Sequence, residues 1–344
     1  MKAPRHWTFL LACLASSVWA EPCSQVQLAE FLAPAKQEQR AVSLRCDLTL
    51  KPTDIVTRTL RIEASDVKLD CKGALLDGGG ATVNAGRDML EIRARRNGDS
   101  WVRPENVEVS NCRIIGSVRI HGMAVNGEGR LLRDSSRLVG HVERARVAAP
   151  RRLVLRNLHI SGTGRIPLYL APGVSEVTLS ESTLDGVSRS TAIYLDAEST
   201  LNVIDNNRIA VDTQRELIAV DGSSHNRISN NHFYRLAHGG IFLYRNCGEG
   251  GTIRHTTPSH NRIIDNSFHY LGEAADKPAV YLGSRDGWRT YCIADSGHDF
   301  GSSADNRDFA THNVVSGNLF VGLRSGVPIR QGSAVNQPNE VQAQ

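Results

Sequence analysis

Outside its first 20 residues, the sequence has no stretch approaching the roughly 18 consecutive apolar residues that a membrane span requires. It also lacks a compact basic stripe with interleaved aromatic residues, which argues against nucleic-acid binding. Its 12 histidines and 3 methionines form no cluster and no His-x-x-x-His pair, so a metal-delivery role has no support. The cysteine spacings match no zinc-ligand pattern. These absences leave the internal repeats as the main source of information about the fold and the function.

The first 20 residues have the features of an export signal. Lys2 and Arg5 precede the apolar residues 7–14, and residues 18–20 resemble a small-residue cleavage site. The residues up to Cys13 also resemble a lipoprotein site, although the apolar segment before Cys13 would be very short. We expect residues 1–20 to be a signal peptide and the mature protein to be soluble and periplasmic or secreted.

Removing the leader would lower the formal charge from +4 to +2, because Lys2 and Arg5 would be lost. Most of the remaining basic residues are arginines, whose planar guanidinium groups suit bidentate contacts to carboxylate or sulfate. An acidic ligand is therefore expected. The sequence gives no sign of oligomerisation, and we expect a monomer.

Four segments share the pattern N-x-[IV]-x-x-N-x-[IF], namely residues 202–209, 226–233, 261–268 and 313–320. The spacing is about one coil of a parallel β-solenoid, with larger gaps where loops intrude. Alternating apolar residues in these segments predict strands with one buried face. The column Asn207, Asn231, Asn266 and Asn318 is expected to form a ladder of amide hydrogen bonds along the solenoid axis.

The repeat divides the chain into four parts. Residues 21–43 form an N-terminal segment with a helical cap, in which Ser24 is the expected N-cap and Val26, Leu28, Phe31, Leu32 and Ala35 the buried face. Residues 44–330 form the solenoid, and residues 331–344 a loose tail. Three segments interrupt the repeat, namely residues 116–150, 245–258 and 284–310. We expect them to be surface insertions around a binding face.

Six cysteines remain after the leader, and an even number in an exported chain indicates disulfides. Cys71 and Cys112 lie in matching runs of the repeat, so we predict the pair Cys71–Cys112. The two later cysteines lie in the insertions and are paired as Cys247–Cys292. Elimination then gives Cys23–Cys46.

The segment Asp66-Val-Lys-Leu-Asp-Cys-Lys-Gly-Ala-Leu-Leu-Asp-Gly78, with the repeats that follow it, resembles the right-handed parallel β-helix superfamily. That superfamily includes pectate lyases, polygalacturonases, alginate lyases and mannuronan C5-epimerases. The resemblance implies an all-β, single-stranded right-handed parallel β-helix and a polysaccharide partner. The Asp-Pro-His-Asp of the epimerases is absent, and His238-Gly239-Gly240 only distantly resembles the Gly-His-Gly of polygalacturonases.

A second strand in each coil is expected to present two outward columns. One contains Tyr169, Tyr194, Ala219, Phe242, Tyr281 and Pro328, and the other contains Ala171, Asp196, Asp221, Tyr244, Gly283 and Arg330. Because coils stack about 4.8 Å apart, Asp196 and Asp221 should be neighbours beside an aromatic strip. Sugar rings stack on exposed aromatics, so we predict that Tyr169, Tyr194, Phe242, Tyr281 and Arg330 bind substrate. Turn-forming aspartates and sheet-stabilising aromatics give the alternative, structural interpretation of both columns.

The predicted reaction is a lyase or C5-epimerase reaction on a uronate-containing polysaccharide. Asp196 and Asp221 would hold Ca²⁺ or set the local charge, Arg245 or Arg285 would neutralise the uronate carboxylate, and His238 or Tyr244 would transfer the proton. Asp221→Asn is expected to abolish turnover and leave folding intact. Two alternatives stay open: a glycoside hydrolase that uses the Asp196/Asp221 pair, and a non-catalytic polysaccharide-binding or envelope solenoid.

Overall fold

The computed structural model describes residues 19–36, 41–79, 87–246, 248–270, 277–286, 292–305, 307–332 and 339–342. The predicted signal peptide lies outside these residues except for positions 19 and 20. Within the described ranges, no helix is long and apolar enough to cross a membrane.

Short parallel strands stack into three sheets along the chain. The strands of sheet A are Ala41–Leu44, Thr59–Ile62, Asp88–Arg93, Ser117–His121, Leu168–Leu170, Ile193–Leu195, Ile218–Asp221, Ile241–Tyr244, Val280–Leu282 and Ile329–Gln331. The strands of sheet B are Leu48–Thr49, Lys68–Asp70, Glu105–Ser110, Arg151–Arg156, Ser175–Ser180, Val203–Asp205, Arg227–Ser229, Arg262–Ile264, Val314–Ser316 and Glu340–Val341.

The strands of sheet C are Ile55–Val56, Leu75–Asp77, Arg113–Ile115, His159–Gly164, Thr183–Ser188, Arg208–Ile209, His232–Phe233, Ser267–His269 and Leu319–Val321, with Asp212–Thr213 beside the main path. Successive strands visit sheets B, C and A in turn, so the predicted parallel β-helix is confirmed. Outside the coils lie the antiparallel hairpin strands Arg95–Asn97 and Ser100–Val102 and the helices Gln25–Leu32, Arg130–Ser136, His141–Ala148 and (3-10) Leu236–His238.

Alternate side chains of the strands fill the interior. Leu179, Ile204 and Ile228 stack in register in sheet B and are fully buried. In sheet C the rings of Phe233 and Phe268 stack with their centroids 4.7 Å apart. Since each inner strand is paired on both sides, stacking buries a continuous core and leaves open edges only at the two ends.

The predicted asparagine ladder is confirmed. Asn207 Nδ2 donates to Asn231 Oδ1 at 3.0 Å, and the same bond joins Asn231 to Asn266. The first asparagine of the repeat forms a second ladder, which was not predicted; its members are the buried Asn202, Asn226, Asn261 and Asn313 and the half-buried Asn339. The amides therefore belong to the scaffold.

At the N-terminal end, Ser24 caps helix Gln25–Leu32 as predicted, and Phe31 is buried. Val26 is 81% exposed, so its predicted place on the buried face is wrong. Leu28 and Leu32 pack on the core together with Phe31. Residues two apart on a helix do not share a face, and Val26 therefore points away from Leu28.

Two of the three predicted disulfides, Cys23–Cys46 and Cys71–Cys112, are confirmed. The third prediction, Cys247–Cys292, includes Cys247, which lies outside the described residues.

Two predicted boundaries shift. Ser117–His121 is a strand of sheet A, paired on both sides with an irregularity between Ser117 and Val118, so the first insertion begins at residue 122 and not at 116. Glu340–Val341 pairs with Val314–Ser316 inside the predicted loose tail. Asn339 accepts hydrogen bonds from Asn313, so residues 339–341 repeat the N-x-[IV] pattern and extend the solenoid.

Candidate active site

The outward column of sheet A has the predicted register from Tyr169 through Tyr194, Ala219 and Phe242 to Tyr281. Tyr169 and Tyr194 are nevertheless only 6% and 8% exposed. Residues of the insertions after 122 and after 245 lie over this face. The prediction of an exposed aromatic strip is therefore wrong for the two tyrosines, whose rings stack on each other at 5.2 Å.

The last coil is shifted by two residues from the predicted alignment. Tyr281 pairs with Arg330 rather than Pro328, and the Arg330 guanidinium lies 5.5 Å from the Tyr281 ring. Proline has no N–H to donate to a ladder, and the strand accordingly begins at the following residue. Arg330 thus belongs to the aromatic column and not to the column of Asp196.

Two tyrosine–aspartate pairs occupy the covered face. The Tyr169 hydroxyl donates to Asp196 Oδ2, and the Tyr194 hydroxyl donates to Asp221 Oδ2 at 2.7 Å. Burial, reinforced by the neighbouring aspartates, raises the pKa of both phenols well above the ordinary value. Both tyrosines therefore keep their protons at neutral pH.

Asp221 is fully buried and is held by Asn246 as well as by Tyr194. The Asn246 backbone N–H donates to Asp221 Oδ1 at 2.8 Å, and Asn246 Nδ2 donates to Asp221 Oδ2 at 2.6 Å. An asparagine at 221 would turn an amide NH₂ toward these donors. The expectation that Asp221→Asn leaves folding intact is therefore not supported by the structure.

Arg254 supplies the positive charge of the cluster. Its side chain is 2% exposed, and its Nη1 lies 3.4 Å from Asp196 Oδ1. Burial raises the pKa of Asp196 to about 6 and that of Glu198 to about 7, while the Arg254 charge opposes both shifts. In the described part of the chain, Arg254 Nε is a buried donor without a hydrogen-bond partner.

A cavity of about 170 Å³ opens onto this cluster. Its lining residues are Asn126, Gly127, Glu128, Tyr169, Tyr194, Asp196, Arg215, Asn246, Glu249 and Arg254. Gly127 lies against Arg254 so closely that a β-carbon there would collide with the guanidinium group. Burial and the charge of Glu128 raise the pKa of Glu249. The cavity therefore combines neutral phenols, two arginines and carboxyls that protonate more readily than usual.

The Asp196/Asp221 pair does not fit a calcium site. The Asp196 oxygens accept from Tyr169 and the Ala197 backbone and face Arg254, and both Asp221 oxygens accept from protein donors. Ca²⁺ takes six to eight oxygen ligands, and an adjacent guanidinium opposes a cation. Among the described residues, no group of three or more His, Cys, Asp or Glu side chains is placed to hold a metal.

The remaining predicted site residues lie beside the cavity or away from it. Tyr244 is fully buried and donates to Glu216 at 3.0 Å, and the Arg285 guanidinium lies 3.8 Å from its ring. Arg285 also donates to Asn246 Oδ1, which places it behind the wall of the cavity.

Arg245 and His238 are not brought to the cluster. Arg245 donates to the carbonyls of Asp305 and Arg307 and lies 4.4 Å from the Phe300 ring, so it anchors this part of the insertion 284–310. His238 is exposed in the turn before strand Ile241–Tyr244. Tyr244 ends that strand, so His238 stands at the opposite end of the strand from the cluster.

Glu198 also contacts the first insertion, because its Oε2 lies 3.9 Å from His141 Nε2 on helix His141–Ala148. Burial lowers the pKa of His141 to about 3, so the imidazole is neutral at ordinary pH. A protonated Glu198 therefore suits this buried pair better than an ionised one.

Replacing Glu198 with Gln should change the pH dependence of stability. The folded protein holds a proton on Glu198 up to about pH 7, whereas the ordinary pKa is 4.5. Wild-type stability therefore falls as pH rises between these values, by about 3 kcal/mol, and the variant lacks this loss. Urea unfolding near pH 5 and pH 8 measures this effect. Relative to the wild type, the free energy of unfolding of the variant should be higher at pH 8 than at pH 5. A constant difference between them would contradict the shifted pKa.

The family described as "right handed beta helix region" matches residues 96–275, which is more than half of the chain. This chain belongs to the right-handed β-helix family. No curated protein matches it.

Solved structures of this β-helix type include distant likenesses. An alginate lyase from Paenibacillus sp. str. FPU-7 is 12% identical with a TM-score of 0.45, over 85% of this chain and 98% of that one. The A-module of the mannuronan C-5 epimerase AlgE6 from Azotobacter vinelandii is 11% identical with a TM-score of 0.37, over 88% and 87%. PfbA, a surface adhesin of Streptococcus pneumoniae, is 15% identical with a TM-score of 0.37, over 81% and 53%. At these values no neighbour's activity transfers to this β-helix protein.

Proposed function

We propose that this β-helix protein is an enzyme that cleaves a terminal unit from an acidic, uronate-containing polysaccharide by β-elimination in the covered cavity. The observation that carries the proposal is the convergence of two tyrosine–aspartate pairs and an arginine with an unpartnered Nε on one cavity. Clusters of titratable groups with shifted pKa values in a cleft are typical of catalytic sites.

The arginines suit recognition of the uronate carboxylate. Arg254 and Arg215 both line the cavity, and a guanidinium forms strong, directional hydrogen bonds with a carboxylate. Neutralising that carboxylate acidifies the adjacent C5 proton. In this proposal Arg254 and Arg215 take the role that the sequence argument gave to Arg245 and Arg285.

The Tyr169–Asp196 pair suits proton removal. Tyr169 would accept the C5 proton as it passes its own proton to Asp196, whose pKa of about 6 is close to the range in which a general base works best at neutral pH. The C4–O bond then breaks as the C4–C5 double bond forms. Tyr194 would give its proton to the departing glycosidic oxygen as that bond breaks. After product release, solvent in the cavity would carry the proton held on Asp196 to Tyr194, so that the protonated Tyr194 and the ionised Asp196 are both restored.

The cavity size favours attack at a chain end. Its volume of about 170 Å³ is below the range of about 300–1,000 Å³ usual for pockets that bury drug-sized ligands. The covering insertions place Glu128 and Glu249 in the cavity wall. A single sugar unit is therefore the expected occupant, and an internal stretch of polymer is not.

Incubation with a panel of uronate polymers and their short oligomers, with and without a chelator, tests the proposal. Ultraviolet absorbance from unsaturated products, released first as monomers and unaffected by the chelator, is the expected result. Reducing ends without new absorbance would indicate a hydrolase. Binding without any product would indicate a non-catalytic solenoid, and either outcome would overturn the proposal.

Tyr169→Phe should lower turnover by about 100-fold or more, because a positioned proton-transfer group contributes that much. The phenyl ring keeps the stack on Tyr194 and removes only the hydroxyl that bonds Asp196. The matched control is Tyr281→Phe in the same column, since Tyr281 is half-buried and outside the cavity lining. Equal activity in the two variants, read from initial rates of unsaturated product, would remove Tyr169 from the mechanism.

A further inference from the structure

Three exposed histidines stack at the turn that leads into sheet B. The rings of His225 and His260 are 4.8 Å apart and inclined by 16°, and those of His260 and His312 are 4.7 Å apart and inclined by 5°. All three have left-handed backbone, with φ between 56° and 58°, where histidine occurs more often than most residues. Each one precedes a buried ladder asparagine, which fixes its place on the coil.

Arginines extend the same surface. Arg227 and Arg262 are exposed, directly paired neighbours in sheet B, each two residues after a stacked histidine. Like charges that face each other across strands are unfavourable unless an anion screens them. In the described part of the chain, neither guanidinium forms an ion pair with a carboxylate. Arg146 of the first insertion adds its positive charge beside His225.

We propose that His225, His260, His312, Arg227 and Arg262 form a histidine–arginine ridge that binds an extended acidic polysaccharide along the solenoid axis. Charge complementarity carries the proposal, because the ridge places a protonatable histidine on each of three successive coils and, in a parallel row, an arginine on two of them. The kind of polymer rests on the proposed function, whereas binding at the ridge does not require turnover in the cavity.

A metal ion is a poorer occupant of this ridge. Histidine nitrogens bind Zn²⁺ at about 2.0–2.1 Å, so two nitrogens on one ion lie within about 4.2 Å of each other. Among the residues that the structure describes, no three His, Cys, Asp or Glu side chains are placed to hold a metal, and the stacked histidines are no exception. An elongated anion meets no such limit.

Binding should strengthen as pH falls, since imidazoles gain charge below about pH 6.5. His225 faces His260 on the next coil and Arg146 on the first insertion; burial, then these two groups, lowers its pKa. His260 lies between the other two histidines, and the His312 side chain contacts Thr311 Oγ1 at 3.1 Å. His225 should therefore become charged only at a lower pH than an imidazole with an ordinary pKa.

Affinity electrophoresis through polygalacturonate, with dextran as the neutral polymer, tests the ridge. The full chain carrying Tyr169→Phe should be retarded by polygalacturonate only, and more strongly near pH 5.5 than near pH 7.5. Adding Arg227→Gln and Arg262→Gln should weaken binding by about 10-fold, because charge-assisted hydrogen bonds are lost. Arg208→Gln, on the exposed face of sheet C, is the matched control and should have no effect.

Turnover of short oligomers separates the ridge from the cavity. In the otherwise wild-type chain, the two ridge substitutions should leave this turnover unchanged. If the ridge binds the polymer but no oligomer is turned over, the proposed activity of the cavity is wrong and the ridge proposal is unaffected. Equal retardation of ridge and control variants, retardation by dextran, or a requirement for added Zn²⁺ would overturn the ridge proposal.

Discussion

Replacing Arg254 with methionine should destabilise the fold by about 3–5 kcal/mol near pH 8, because removing one partner leaves buried charge uncompensated. Arg254 is the cation that opposes the raised pKa values of both Asp196 and Glu198. Methionine keeps the apolar stem of Arg254 but not the guanidinium that lies under Gly127, so some packing is lost together with the charge. The pH dependence of the loss therefore reports on the charge.

The same substitution should cost much less near pH 5. Without Arg254 the pKa values of Asp196 and Glu198 rise above about 6 and about 7, so both carboxyls are protonated at that pH and little buried charge remains. Folded-state pKa values raised above the unfolded ones make stability fall as pH rises through this window. The penalty of the variant should therefore grow from pH 5 to pH 8.

Urea unfolding of Arg254→Met at the two pH values measures this penalty, with Arg262→Met as the matched control. Arg262 is exposed on sheet B, and its replacement should change stability by less than about 0.5 kcal/mol at either pH. A penalty for Arg254→Met that is large but equal at both pH values would show that the side chain acts through packing alone.

The sequence predicted the columns of the solenoid well because the strand period fixes them. Alternation of buried and outward residues placed Tyr169, Tyr194, Asp196 and Asp221 on one face. Pro328 shows the limit of extrapolation, since the strand begins after this residue without an N–H and the last coil is shifted by two positions. Local sequence patterns thus determined register wherever the repeat was regular.

The burial of the site was not predictable in the same way. Arg254, Asn246 and Glu128 come from insertions that follow no repeat, so their position over sheet A depends on tertiary contacts between distant segments. Glu198 lies in a turn close to Asp196, and its role depends on His141 from another insertion. Because these charged residues lie outside the repeat, the periodicity of the sequence could not predict that they contact the buried aspartates.

Asn266→Ala should destabilise the fold by about 3 kcal/mol, because buried donors and acceptors of the asparagine ladder lose their partners together. Asn266 Oδ1 accepts from the backbone N–H and from Nδ2 of Asn231, both at 3.0 Å. Asn266 Nδ2 donates to the Ile228 carbonyl at 2.9 Å and to Asn318 Oδ1 at 3.0 Å. The Asn231 backbone N–H would be left buried without this acceptor.

Asn97→Ala in the exposed hairpin is the matched control, since it deletes the same amide from a solvated position and should change stability little. A double-mutant cycle then tests whether the ladder acts as a unit. Asn231→Ala removes the side-chain donor that Asn266 would otherwise leave unpaired, so the double variant should lose less than the two single losses together. Strict additivity in thermal or urea unfolding would mean that the asparagines stabilise their own turns separately, without coupling neighbouring coils.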